Sequence, residues 1–199
     1  MQYFDTLPKI IYTNQSGISR VMTNLLARAS VIPDVLKNPL VYYKYDIQDG
    51  DTPETIAHKY YGDSYRYWIV LFANQMLDPQ WSWPLSTNDF NAYIADKYKD
   101  TDPYNTVKAY QKIITQFDYS TNTTKSTIVV VDEDTYNAIV PQTNYFTLPT
   151  GQVSISVDKN ILTVYDDEVN QNEAKRNINI LNVLYVDQLE SEFKKLMSV

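Results

Sequence analysis

Few side chains in this chain are placed to do chemistry. They are one histidine, His58, and three groups of carboxylates: Asp49 with Asp51; Asp132, Glu133 and Asp134; and Asp166, Asp167 and Glu168. Two carboxylates are enough to cleave a glycosidic bond, provided that one is desolvated and its pKa raised so that it can act as an acid. All three groups fall in polar, turn-like surroundings, where carboxylates stay solvated. His58 has no second histidine, and the chain has no cysteine, so a metal site would need carboxylates alone. Four glycines leave no phosphate-cradling loop, and neither a dinucleotide-binding nor a P-loop pattern can be written. The expectation is a protein that is not an enzyme, with no catalytic residue, no metal ligand and no cofactor. The sequons Asn14-Gln15-Ser16 and Asn122-Thr123-Thr124 count only in a secreted protein.

The 199 residues suffice for one ordinary domain or two small ones, and a 44% hydrophobic content can build a core. Eighteen tyrosines and three tryptophans combine apolar area with polar tips, a composition suited to surfaces that bury against other proteins. With 24 acidic against 17 basic side chains the net charge is −7, which disfavours nucleic acid as a partner. No basic patch followed by an apolar run opens the chain, and no apolar segment approaches membrane-spanning length, so no membrane partner is expected.

The elements follow from punctuation and period. Residues 1–17 read as extended or looped, with Pro8 and Gly17 as breakers. Val21, Met22, Leu25, Leu26 and Ala29 recur at helical spacing after Ser19, which predicts a helix stopping before Pro33; Val35-Leu36 then leads through Pro39 into Leu40–Tyr43. Thr52 is placed to cap a helix beginning at Pro53 and ending at Gly62, with Ile56, Ala57 and Tyr60 on one face. Ser64 can cap a second helix carrying Trp68, Leu71 and Phe72. Trp81 and Trp83 read either as a sugar-stacking pair or as neighbours on one face of a strand. A helix carries Phe90, Tyr93, Ile94, Lys97 and Tyr98. The β-branched run Thr127–Val131 predicts a strand, and residues 153–165 predict a hairpin turning at Asp158-Lys159-Asn160. Asp166 to Glu173 reads as an acidic polar stretch, and Ile178–Leu181 as strand or loop. Asp187 can cap a last helix lined by Leu189, Phe193, Leu196 and Met197, with Glu190 and Lys194 as an i,i+4 pair.

The order Tyr45-Asp46-Ile47, Gly50-Asp51-Thr52-Pro53, Ile56 to Gly62 and Trp68 to Asn74 resembles a LysM domain, the β-α-α-β module that binds N-acetylglucosamine polymers. Residues 76–85 depart from that pattern. The helix before this unit, Asp78-Pro79 with Trp81 and Trp83, Asp96-Lys97-Tyr98, and Glu173 to Ile178 before a terminal amphipathic helix extend the likeness. Together they resemble the LysM-containing baseplate wedge protein of contractile-tailed bacteriophages. The fold class is therefore read as α+β: an N-terminal arm and helix over 1–43, a LysM-like module over 44–86, a helix and linker over 87–105, an irregular β-rich region over 106–170, and a C-terminal segment with an amphipathic helix over 171–199.

The resemblance implies a structural component of the virion tail baseplate, assembled in the host cytoplasm. It would clamp neighbouring wedges around the tail tube through contacts with other wedge proteins, with no glycan as its main partner. Met22, Leu25 and Leu26, and Leu189, Phe193, Leu196 and Met197, are the candidate interface residues. The alternative is a peptidoglycan- or chitin-binding LysM module of a virion or cell-wall protein, with a groove formed by Gly50, Asp51, Thr52, Asn74, Gln75, Met76 and Trp81.

Overall fold

The computed structural model describes residues 3–27, 29 and 40–198. The chain forms two compact units, one of Met1–Thr87 with Asn172–Val199 and one of Asn88–Gln171. Helices and antiparallel sheets occur in both, which makes the fold α+β.

The discontinuous unit opens with Leu7 buried in its core. The chain then forms an antiparallel ribbon of β1 (Lys9–Thr13) and β2 (Ser19–Thr23). The helix expected from Ser19 onward is thus a strand as far as Thr23. Asn14 accepts from the Ser16 and Ile18 amides and Gly17 takes φ +78°, so the loop turns the chain back, and pairing with β1 overrides helical spacing. The expected stop before Pro33, and the Val35-Leu36 to Pro39 lead-in, lie outside the described residues.

The core of this unit is a two-stranded sheet covered by helices. β3 (Tyr42–Asp46) pairs antiparallel with β8 (Asn177–Leu181), with Tyr42 opposite Leu181 and Asp46 opposite Asn177. α1 (Pro53–Tyr61) carries a reciprocal capping box between Thr52 and Thr55 and ends on Gly62 at φ +69°. α2 (Tyr67–Ala73) follows a 3-10 turn, Ser64–Arg66, whose cap is Asp63 instead of the expected Ser64. Ile56, Ile69, Val70, Ile178, Ile180 and Val186 are almost wholly excluded from water, each worth about 1.5–3 kcal/mol of transfer free energy. α3 (Pro79–Ser82) takes the place of the alternative strand, so Trp81 and Trp83 do not share a strand face.

α7 (Val186–Met197) closes this core. Its Phe193 meets Trp68 with ring centroids 4.9 Å apart and Tyr3 at 5.5 Å. Asp187 is not its cap. Asp187 and Glu190 instead bind the Arg66 guanidinium at 2.9 and 3.0 Å, so the expected Glu190–Lys194 pair gives way to a tie between distant segments.

The continuous unit holds a four-stranded antiparallel sheet in the order β5-β4-β7-β6, formed by β4 (Val107–Asp118), β5 (Thr123–Val131), β6 (Gln142–Leu148) and β7 (Gly151–Thr163). The turn expected at Asp158–Asn160 is absent: β7 runs straight through it, because β4 pairs with it residue by residue from Ala109–Leu162 to Asp118–Val153. The hairpin turn lies at Pro149-Thr150. α5 (Glu133–Ala138) packs on the sheet through Tyr136, whose ring is tilted against that of Tyr110 with centroids 5.0 Å apart. The acidic stretch is helical as well, forming α6 (Val164–Ala174). It meets α4 (Thr87–Lys97) where Glu168 accepts from Lys97 and Tyr98, both at 2.7 Å.

Candidate interaction surface

The residues singled out from the sequence divide between core and surface. On α7, Phe193 and Met197 are buried in this chain's own core and Leu189 is half-buried against it, whereas Leu196 is exposed. Phe193 and Met197 stand one helical turn apart on the inward face of α7, where Phe193 meets Trp68. Met22, Leu25 and Leu26 are exposed, Leu26 to 84%. They lie on β2 and the turn after it, joined by Ile10, Ile11, Tyr12, Ile18 and Val21, none of which is buried. Scattered exposed apolar side chains need no explanation, but a contiguous apolar ribbon marks a site of association.

The groove candidates are mostly engaged inside the discontinuous unit. Asp51 accepts from the Tyr45 hydroxyl at 2.6 Å and from the Gln48 amide at 2.9 Å, and its carbonyl accepts from Trp83 Nε1. Thr52 caps α1. Gly50, at φ +83°, turns the β3-α1 loop, and Gln75, at φ +55°, follows the end of α2. Asn74 is the most committed. Its Oδ1 accepts from the Asn179 amide at 2.7 Å, while its Nδ2 donates to the Asn179 and Val70 carbonyls, both at 2.8 Å. Met76 packs against the core. Trp81 is exposed, and its carbonyl accepts from Lys175.

The acid–base candidates lie apart from any such arrangement. His58 is exposed on α1. Asp132 caps α5, and amide and hydroxyl hydrogen bonds from Thr135 hold its carboxyl below the usual range. Burial pushes the Glu168 carboxyl up, but hydrogen bonds from Lys97 and Tyr98 outweigh it and hold the group low. Both shifts run opposite to what a general acid needs. Among the described residues no three His, Asp or Glu side chains gather into a metal-binding group, and no helix is long and apolar enough to cross a membrane.

What this surface offers is exposed apolar area, and a family comparison decides how to read it. Residues 31–197 match the model of the phage family described as base plate wedge protein 53. The chain belongs to that family. Membership makes it a structural component of a phage tail base plate, with other base plate proteins as its partners. The match starts beyond the β1-β2 ribbon and spans both units. No curated protein matches the chain.

The sequence reading missed the ribbon, though Ile10-Ile11-Tyr12 and Ile18 to Met22 flanking Asn14-Gln15-Ser16-Gly17 carry a hairpin signature. It also missed that β8, a hundred residues downstream of α2, supplies the strand opposite β3. No local signal could have revealed that.

Proposed function

We propose that this chain joins neighbouring wedges in the tail base plate, after assembly in the host cytoplasm, and that its β3-α1-α2-β8 core is a LysM-like module given over to protein contact. The observation that carries this reading is the family match over residues 31–197. The engagement of Asp51, Thr52 and Asn74 in internal hydrogen bonds agrees with it, because a sugar-binding groove needs polar groups left for the ligand. Contact with other wedge subunits is made by Met22, Leu25 and Leu26 and by Leu196, since Phe193 and Met197 are occupied within the core.

Co-expression with the phage's remaining wedge proteins tests this. Charged substitutions at the exposed positions, Leu25→Lys with Leu26→Lys and, separately, Leu196→Lys, leave Trp emission and circular dichroism unchanged but remove the chain from the purified wedge assembly. Retention of both variants at wild-type stoichiometry overturns the assignment of these residues. Among the described residues the exposed Trp81 favours the glycan reading. Titration with N-acetylglucosamine oligomers, read by Trp fluorescence, is expected to give no response at millimolar ligand; a saturable response supports sugar binding instead.

A further inference from the structure

The discontinuous unit carries a basic two-stranded ribbon, and the continuous unit carries an edge strand that runs into acidic residues. The β1-β2 ribbon is tied at its base, where the Asn24 amide donates to the Pro8 carbonyl at 2.8 Å beside the buried Leu7. Beyond that base Ile10 lies opposite Met22 and Ile11 opposite Val21, so both faces carry exposed apolar side chains. A two-stranded ribbon with neither face covered among the described residues is marginal in water and gains from further strands.

The matching edge is β5, an outer strand of the four-stranded sheet. Ile128, Val129 and Val130 are exposed along it, with no proline and Lys125 as its one charged residue. Natural edge strands are normally guarded by charge, proline or a bulge, and an unguarded one is a template for strand addition. The other edge, β6, carries no charge, whereas β5 runs directly into Asp132-Glu133-Asp134.

Charge says what covers the edge. Residues 6–33 contain Lys9, Arg20 and Arg28 and no acidic side chain. The continuous unit carries twelve Asp and Glu against six Lys, a net charge of −6 out of the −7 of the whole chain. We propose that the ribbon of one copy adds to the β5 edge of a second copy, pairing strand to strand, with Lys9 and Arg20, one on each face of the ribbon, drawn towards the acidic end of that edge at Asp132, Glu133 and Asp134. Each copy offers one basic ribbon and one strand edge that runs into an acidic cluster, so the contact is head-to-tail. Opposite charge steers the encounter and fixes its polarity, and salt weakens it. The base plate reading enters only in bringing copies together in the particle. The test uses the isolated full chain, so its failure leaves the wedge co-purification result standing.

Complementation between two variants separates this contact from other kinds of association. The ribbon variant is K9E with R20E; the edge variant is I128K with V130K. All four positions are exposed, and circular dichroism checks that the fold is kept. In sedimentation velocity at low salt the wild-type chain associates with rising concentration, and each variant alone loses at least about tenfold in association constant. An equimolar mixture recovers association, because the ribbon of the edge variant meets the intact edge of the ribbon variant. Zero-length carbodiimide coupling of mixed isotope-labelled and unlabelled chains joins Lys9 to Glu133 or Asp134 between copies. A wild-type chain that stays monomeric, variants that associate as the wild type does, a mixture that remains monomeric, or cross-links confined within one chain would each overturn the proposal.

Discussion

Replacing Asn74 by Ala tests how the discontinuous core is held together. The Asn74 side chain presents an amide edge to β8 as a neighbouring strand would, satisfying both the N–H and the C=O of Asn179 and binding the Val70 carbonyl as well. Removing it deletes these three hydrogen bonds and leaves the outer side of a core strand without partners. At about 1 kcal/mol net for each bond, the loss is about 3 kcal/mol. With a urea dependence of about 2 kcal/mol per molar, the midpoint falls by about 1.5 M. Trp68, Trp81 and Trp83 all lie in the discontinuous unit, so Trp emission follows that unit separately from the sheet. Amide exchange at Asn179 should accelerate in parallel. Asn74→Asp keeps the acceptor for the Asn179 amide but sets a carboxylate against two carbonyls. It should lose more than Asn74→Ala at neutral pH and recover partly in acid as the new carboxyl protonates. A midpoint shift for Asn74→Ala equivalent to less than about 0.5 kcal/mol, the size of an ordinary surface change, refutes the reasoning.

Three further outcomes are expected. Gly151→Ala should destabilise the sheet unit by about 1–3 kcal/mol in denaturant melts followed by far-ultraviolet circular dichroism: Gly151 sits at φ +140°, and a Cβ there would meet Ser120 Cβ at 2.8 Å. Thr52→Ala breaks the capping box at the start of α1 and should cost about 1 kcal/mol by Trp-detected unfolding, with Thr52→Ser recovering most of it. The Glu168 carboxyl is held below its ordinary value of 4.5, so its contribution is full above that pH and is lost as pH falls through the folded value. The Lys97 ammonium, raised by the hydrogen bonds it donates to Glu168 and Tyr93, keeps its share until well into the alkaline range. Glu168→Gln should therefore flatten the acid limb of the stability profile of the sheet unit, and an unchanged limb rules out this pair as its source.

The legible parts of the fold were those whose causes are local. Thr52, Pro53 and Gly62 act within one turn, and α1 forms between them as expected. The β-branched run at Thr127–Val131 is a strand, and the apolar stripe over residues 189–197 is a helix with two of its members in the core. Apolar spacing identifies a face, but not whether that face meets its own core, as Phe193 does, or the solvent, as Leu196 does. Asn74 shows the limit most clearly. It was read as a groove residue, and a strand arriving from residue 179 makes it a clamp.

Sequence by itself determined the composition that excludes a thiol or glycine-loop chemistry, the capped helix, the α+β class and the likeness to the wedge family. Tertiary structure decided which strand closes on β3, that residues 19–23 pair instead of coiling, that Asp158–Asn160 stay extended, and that the acidic stretch becomes α6. Caps and turns act through neighbours a few residues apart and can be read in one pass along the chain. Strand partners and buried faces are selected by hydrogen bonds and apolar area from segments a hundred residues away, which only the folded chain brings together.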